Sequence, residues 1–226
     1  MSAERPLRDG RETSFSLIET MRWEPHTGFL RGDLHLARLA RSAQALDFAY
    51  FQDDAAIQLD AALKGYDTAM RVRLELSSDG SITITTQPFS PLEPGTIWQL
   101  RISANTHLVS SDPLLAHKTT RREAYEGARQ EFSVSEADEV LLLNEKGHIC
   151  EGTITSLFIE DQDGTLLTPA LSSGLLDGVL RREMLMAGKV REAILSPADL
   201  TQARRVFVGN SLRGLILAEL NSDALY

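Results

Sequence analysis

Four separated segments gather the residues of this chain that could do chemistry: His117-Lys118-Thr119-Thr120-Arg121-Arg122, Glu151 to Phe158, Gly174 to Arg181, and Asn210-Ser211-Leu212-Arg213-Gly214. In the first, a lysine stands beside two arginines, and a lysine becomes nucleophilic when desolvation and neighbouring cations disfavour its charged form. In the third, the turn Leu176-Asp177-Gly178 enters a predicted helix whose first N–H groups, on Val179 and Leu180, are free to take an anion. Gly178 lets the backbone come close to such a group. Each feature also has a plain reading when taken singly: a solvated lysine, a polar strand position at Glu151, an exposed helix arginine at Arg38 and a turn serine at Ser211.

Other chemistries drop out. The five histidines (His26, His35, His107, His117, His148) show no close pairing with one another or with cysteine, so no zinc site is expected. There is no Gly-x-Ser-x-Gly elbow, no Walker loop and no Gly-rich dinucleotide fingerprint. Cys150 stands alone, forms no internal disulfide, and reads as a small buried residue rather than a nucleophile. The formal net charge of −9 repels phosphates and anionic lipid surfaces, which argues against nucleic acid or a membrane as partner. The longest purely aliphatic run is Val140 to Leu143, far short of the roughly 20 residues a span needs. Met1 to Thr13 is polar and carries no apolar signal-peptide core, so a cytoplasmic protein is expected.

The elements that must position these segments are those of an ordinary globular chain: 226 residues, 42% hydrophobic and 24% charged, enough for one large or two small domains. The pattern predicts a first strand over Phe15 to Met21, a turn over Trp23 to Gly28 and a short return at Phe29 and Leu30. An amphipathic helix follows, capped by Asp33 and carrying Arg38 and Arg41 among its apolar positions, and then a second over Ala55 to Lys64, ended by Gly65. Arg71 to Leu76 and Ser81 to Thr86 read as a hairpin. Pro88, Pro91, Pro94 and Gly95 then mark a boundary between an N-terminal domain, 1–92, and a C-terminal domain, 93–226. In the second half we expect a strand over Ile97 to Ile102 and a polar connection to Pro113. A helix over Thr119 to Arg129 has Lys118 at its entrance, and an antiparallel meander runs over Glu139 to Leu143, Ile149 to Ile159 and Leu166. A helix over Gly178 to Met186, a short helix from Ser196 and a buried strand over Arg205 to Gly209 complete the list.

Taken together, the four segments resemble the class IV (fold-type IV) pyridoxal-phosphate enzymes, which include branched-chain and D-amino-acid aminotransferases and 4-amino-4-deoxychorismate lyase. The resemblance covers nearly the full length. Leu17 to Trp23, His35 to Leu39 and above all His117 to Arg122 are most similar to the lyase branch. It implies an α/β (α+β) fold of two α/β domains with the cofactor cleft between them, pyridoxal 5'-phosphate as cofactor, a small-molecule substrate and a homodimer.

Residue by residue, the resemblance matches Lys118 to the lysine that joins its amine covalently to the cofactor aldehyde, and Glu151 to the carboxylate that pairs with the pyridine nitrogen. It assigns the phosphate to Arg38, to the N–H groups after Gly178 on Val179 and Leu180, and to Ser211. Arg22 and Thr20 would project from the first hairpin toward substrate, with Arg71 and Arg73 competing for a substrate carboxylate. Three departures stand out: Asp177 where many members carry proline, Ser156 where many carry asparagine, and no arginine in the turn Ser77-Ser78-Asp79-Gly80. An acid at Asp177 suits a phosphate only if its side chain turns away. The expected activity is conversion of 4-amino-4-deoxychorismate to 4-aminobenzoate and pyruvate, with a class IV aminotransferase for branched-chain or D-amino acids as the alternative and a cofactor-free binding module as a third reading.

Overall fold

The computed structural model describes residues 15–221; the stretch Met1 to Thr13, used above for localisation, lies outside them. The first sheet holds β1 (Leu17–Glu24), β2 (Gly28–Phe29), β3 (Met70–Leu76) and β4 (Ile82–Pro88) in the order β2-β1-β3-β4. Two helices, α1 (Gly32–Ala45) and α2 (Gln52–Ala62), pack against it. The alternation of β3, with Met70, Val72, Leu74 and Leu76 all buried, builds the core beneath them. On β1 the same alternation places Leu17 and Met21 in that core, with Glu19 between them on the same side.

The second sheet has eight strands in the order β10-β9-β8-β11-β12-β5-β6-β7. They are β5 (Ile97–Leu108), β6 (Glu139–Asn144), β7 (Ile149–Gly152), β8 (Ser156–Glu160), β9 (Leu166–Pro169), β10 (Arg191–Ala193), β11 (Arg205–Asn210) and β12 (Gly214–Leu220). Helices α3 (Glu123–Gln130), α4 (Val179–Met186) and α5 (Pro197–Gln202) complete the fold. The chain is thus a mixed α/β protein.

Several expectations are corrected. The meander forms only as two hairpins: β6 pairs with β7 and β8 with β9, both antiparallel, but β11, β12 and β5 lie between them in the sheet, and β5 pairs in parallel with both β6 and β12. The polar connection after Ile102 begins as a bulged continuation of β5: its register breaks between Ile102 and His107, and Glu131 accepts there from the backbone Ala104 N and from the hydroxyls Ser103 Oγ and Thr106 Oγ1. The single strand expected over Ile149 to Ile159 is broken at Thr153-Ile154-Thr155. There the fully buried Glu139 carboxylate accepts from Thr153 N, Thr153 Oγ1, Ile154 N and Thr155 Oγ1 at 2.6–3.1 Å. Helix α3 starts at Glu123, not Thr119, because 118–120 runs extended against β1. The first strand runs through Trp23 and Glu24, which were read as turn, and Asp33 lies inside α1 rather than capping it, Arg31 being the cap in left-handed conformation. Among the described residues no helix is long and apolar enough to cross a membrane, and no group of three or more His, Cys, Asp or Glu side chains is arranged to hold a metal.

Candidate active site

Helix α1 has a buried stripe that an ordinary amphipathic helix lacks. His35, Arg38, Leu39, Ser42 and Ala43 follow helical spacing, but three of the five are polar. Burial of such groups is favourable only with partners, and Glu19 on β1 supplies them. Its carboxylate accepts from Arg38 Nε at 2.8 Å and Nη2 at 2.6 Å, and from His35 Nδ1 at 2.6 Å. The other ring nitrogen, His35 Nε2, lies 2.7 Å from Ser211 Oγ. Burial pushes the Glu19 carboxyl up, but the Arg38 guanidinium and the His35 contact outweigh it and the pKa falls to about 2. The sequence reading missed Glu19; a carboxylate at a core-facing position of an alternating strand was the signal available.

Lys118 is held by backbone rather than by its side chain. Its carbonyl accepts from Ile18 N at 2.8 Å, Thr119 bridges Leu17, and Thr120 N donates to Ser16 O at 2.9 Å. A piece of the second half therefore extends the edge of the first sheet, along the part of β1 that β2 leaves uncovered. The Lys118 side chain lines a cavity of about 740 Å³. Desolvation there, then the charges of Arg38 and Arg122, lower its pKa to about 8. The acting cations are thus Arg38 and Arg122, not the sequence neighbour Arg121.

Glu151 closes another wall of the same cavity from β7. Tyr125 Oη donates to its Oε1 at 2.8 Å and Leu176 N to the same oxygen at 3.1 Å, leaving Oε2 without a protein donor. Burial raises its pKa to about 7 against those hydrogen bonds and the charges of Lys118 and Arg122. A cation brought against Glu151 would restore its charge. Tyr125, its own pKa pushed up by burial and the neighbouring carboxyl, stays a proton donor.

At the far end, α4 begins after Gly178, and the N–H groups of Val179 and Leu180 have no protein acceptor among the described residues. A Cβ on Gly178 would meet Ser156 Oγ at 2.5 Å, so any other residue there would have to displace that hydroxyl. Asp177 turns its carboxylate away, to Arg181 Nη1 at 3.2 Å and Arg182 Nη1 at 2.8 Å, while its carbonyl accepts from Arg38 Nη1 at 3.3 Å. Its acidity is thereby neutralised along α4. The donor set of Arg38, Val179 N, Leu180 N and Ser211 fits a phosphate monoester. With Lys118 for an aldehyde and Glu151 for a protonated ring nitrogen, the residues fit pyridoxal phosphate as a whole.

Thr20, Arg38, Lys118, Glu151, Gly178, Val179, Leu180 and Ser211 all line this one cavity. Arg22 is the exception. It stands directly opposite Arg71 on β3, and its guanidinium pairs with Glu24 and stacks over the Phe89 ring at 4.5 Å, outside the lining. Like charges facing each other across a strand pair diverge, and Arg71 is the one that faces inward. Tyr125 and His35 also line the cavity, and neither was singled out for a role there from sequence; Arg122, one of the two arginines expected to act on Lys118, lines it as well.

Comparison with known proteins gives a consistent picture. The family Amino-transferase class IV matches residues 16–218. A Schizosaccharomyces pombe protein provisionally named an aminodeoxychorismate lyase is 31% identical over 185 residues, 79% of each chain. A Thermotoga maritima protein named as a probable branched-chain-amino-acid aminotransferase is 26% identical over 201 residues, covering 85% of this chain and 72% of its own. The crystal structure of a Mesorhizobium loti protein, provisionally named an amino-acid aminotransferase, superimposes with a TM-score of 0.89 at 54% identity, covering 92% of this chain and all of that one.

Proposed function

The chain belongs to the Amino-transferase class IV family, and from that premise we propose that it is a pyridoxal 5'-phosphate-dependent lyase that converts 4-amino-4-deoxychorismate to 4-aminobenzoate and pyruvate. The observation that carries this reading is the convergence of Lys118, Glu151 and Arg38 on one cavity, where burial and the charges of Arg38 and Arg122 disfavour the ammonium form of Lys118. The Schizosaccharomyces pombe relative favours the lyase over the transaminase.

Bound there, pyridoxal phosphate supplies an electron-withdrawing ring that stabilises the negative charge left when the substrate carbon loses its proton. The protein does the rest. Arg38, the N–H groups of Val179 and Leu180, and Ser211 hold the phosphate; Glu151 holds the ring nitrogen protonated. Lys118, with a pKa of about 8, exchanges its proton near neutrality and is the base that takes the proton from the carbon bearing the amine. Loss of that proton, with cleavage of the neighbouring carbon–oxygen bond, aromatises the substrate ring and expels the enolpyruvyl group as enolpyruvate, which tautomerises to pyruvate. No co-reactant is required.

The Mesorhizobium loti likeness favours a second reading, an amino-acid aminotransferase in which the same Lys118 would give the proton back instead of a leaving group being expelled. Parallel assays separate the two: 4-aminobenzoate and pyruvate from 4-amino-4-deoxychorismate support the lyase, whereas amino-group exchange between amino acids and 2-oxo acids without aminobenzoate overturns it. A visible absorbance lost on borohydride reduction, with the label on Lys118, tests the cofactor, and a preparation that stays colourless after reconstitution overturns it. A homodimer and a cytoplasmic location belong to the same reading; sedimentation and fractionation test them.

A further inference from the structure

Five arginines line this cavity: Arg38 and Arg122 have protein acceptors, Arg121 is exposed, and Arg71 and Arg213 form no ion pair among the described residues. Arg38 is bound by Glu19, and Arg122 donates to Thr153 O at 2.6 Å. Arg213 has no such partner. It sits in the turn joining β11 to β12, fixed through its backbone N–H to Asn210 Oδ1 at 3.0 Å, and its guanidinium lines the cavity. Its Nε is shut off from solvent and makes no hydrogen bond. The charged group acting on it is another cation, Arg71, whose one side-chain bond goes to the neutral Gln87 Oε1 at 3.0 Å.

Two guanidiniums from different sheets therefore line one cavity whose acidic residues, Asp112, Glu123 and Glu151, form no ion pair with either, and burial together with the Arg71 charge lowers the Arg213 pKa. A buried polar atom without a partner costs free energy that a ligand recovers by supplying one. The planar fork of arginine suits a carboxylate, which accepts two parallel N–H bonds. The phosphate of the cofactor has its own donors at the α4 end, so the anion that completes this pair is a different one.

We propose that Arg213, with Arg71 facing it, is a specificity-determining residue that binds a substrate carboxylate remote from the reacting amine, so that the cavity selects amino substrates bearing such an acid over those with apolar tails. This rests on the proposed function and deepens it: 4-amino-4-deoxychorismate carries two carboxylates and no free aliphatic tail, whereas branched-chain amino acids carry only the carboxylate next to the amine and none remote from it.

The test uses glutarate and isophthalate as dicarboxylate probes against 4-methylpentanoate and benzoate, titrated calorimetrically into the full chain with and without added pyridoxal phosphate. In the wild type each dicarboxylate is expected to bind about 10- to 100-fold more tightly than its monocarboxylate counterpart, the range for a charge-assisted, partly buried contact. Arg213→Met should abolish most of that margin and leave monocarboxylate affinity within about 3-fold, whereas Arg213→Lys, which keeps the charge, should retain part of it. Equal binding of the two probe classes by the wild type, or an unchanged margin in Arg213→Met, overturns the proposal. Should Arg213→Met fail to fold, Arg71→Met is read by the same criterion. The proposed function fails separately, through absence of the Lys118-linked absorbance, and the margin measured without cofactor still decides the role of Arg213.

Discussion

Glu19 and Glu151 are buried to nearly the same degree, 1% and 5% exposed, yet their carboxyls are driven apart, to about 2 and about 7. Burial raises both. Glu19 meets a guanidinium in two-pronged contact and a histidine, whereas Glu151 meets a phenol and one backbone amide, both on a single oxygen. The partners decide the outcome. Glu19 is a locked anion that holds Arg38 and His35 in place before any ligand arrives. Glu151 is left incompletely paired, facing a cavity, beside a lysine whose own charge is disfavoured. One region is finished by the protein and the other waits for a ligand.

The largest effect is expected on the waiting side. Lys118→Ala should remove all detectable turnover and the borohydride-stable label while still binding pyridoxal phosphate through Arg38 and α4; residual turnover would show that another group moves the proton. On the locked side, Glu19→Gln should destabilise the fold by about 3–5 kcal/mol, because it strands the buried Arg38 charge. Urea denaturation measures this, and a loss below about 1 kcal/mol would erase the distinction between the two glutamates. Glu151→Gln should leave stability at pH 5 nearly unchanged, where the folded carboxyl is already protonated, and slow turnover on the order of 100-fold, by loss of a preorganised electrostatic group.

The same contrast has a signature in pH. Glu19 is depressed from 4.5 to about 2, so the unfolded chain binds the extra proton between those values; its contribution, roughly 3 kcal/mol, is full above pH 4.5 and lost as pH falls toward 2. Glu151 is raised from 4.5 to about 7, so the folded chain binds the extra proton; its roughly 3 kcal/mol is full below pH 4.5 and lost as pH rises through 7. Ligand-free protein should accordingly lose urea resistance between pH 5 and 8, and Glu151→Gln should flatten that decline. An equal decline in both proteins would remove Glu151 as its source. The smallest effect concerns the helix entrance: Gly178→Ala should weaken cofactor affinity and cost about 1–3 kcal/mol through the clash with Ser156 Oγ, read from cofactor titration and urea midpoints.

Much of the site was legible in sequence because its elements are local. The turn Leu176-Asp177-Gly178 before a helix follows from residue type and spacing, whereas the roles of Arg38, Lys118 and Glu151 came from the resemblance of the four segments to a family. What escaped were contacts between distant segments. Lys118 reads as a helix entrance from its neighbours, but pairing with β1, about a hundred residues earlier, makes it extended. Thr153 and Thr155 suit a continuous strand by propensity, and the buried Glu139 on β6 turns them into a loop. Arg22 and Arg71 look equivalent along the chain; register, setting them face to face, sends one to Glu24 and the other into the cavity.

By itself the sequence determined the helices, the hairpins and the glycine turn that opens α4, since periodicity and turn chemistry act over a few residues, and its resemblance to a family supplied the α/β class. Only the tertiary structure decided which charges are cancelled and which are left open. Charge state depends on desolvation and on partners brought from far along the chain, and neither Glu19 against Arg38 nor Arg71 against Arg213 is a neighbour in sequence.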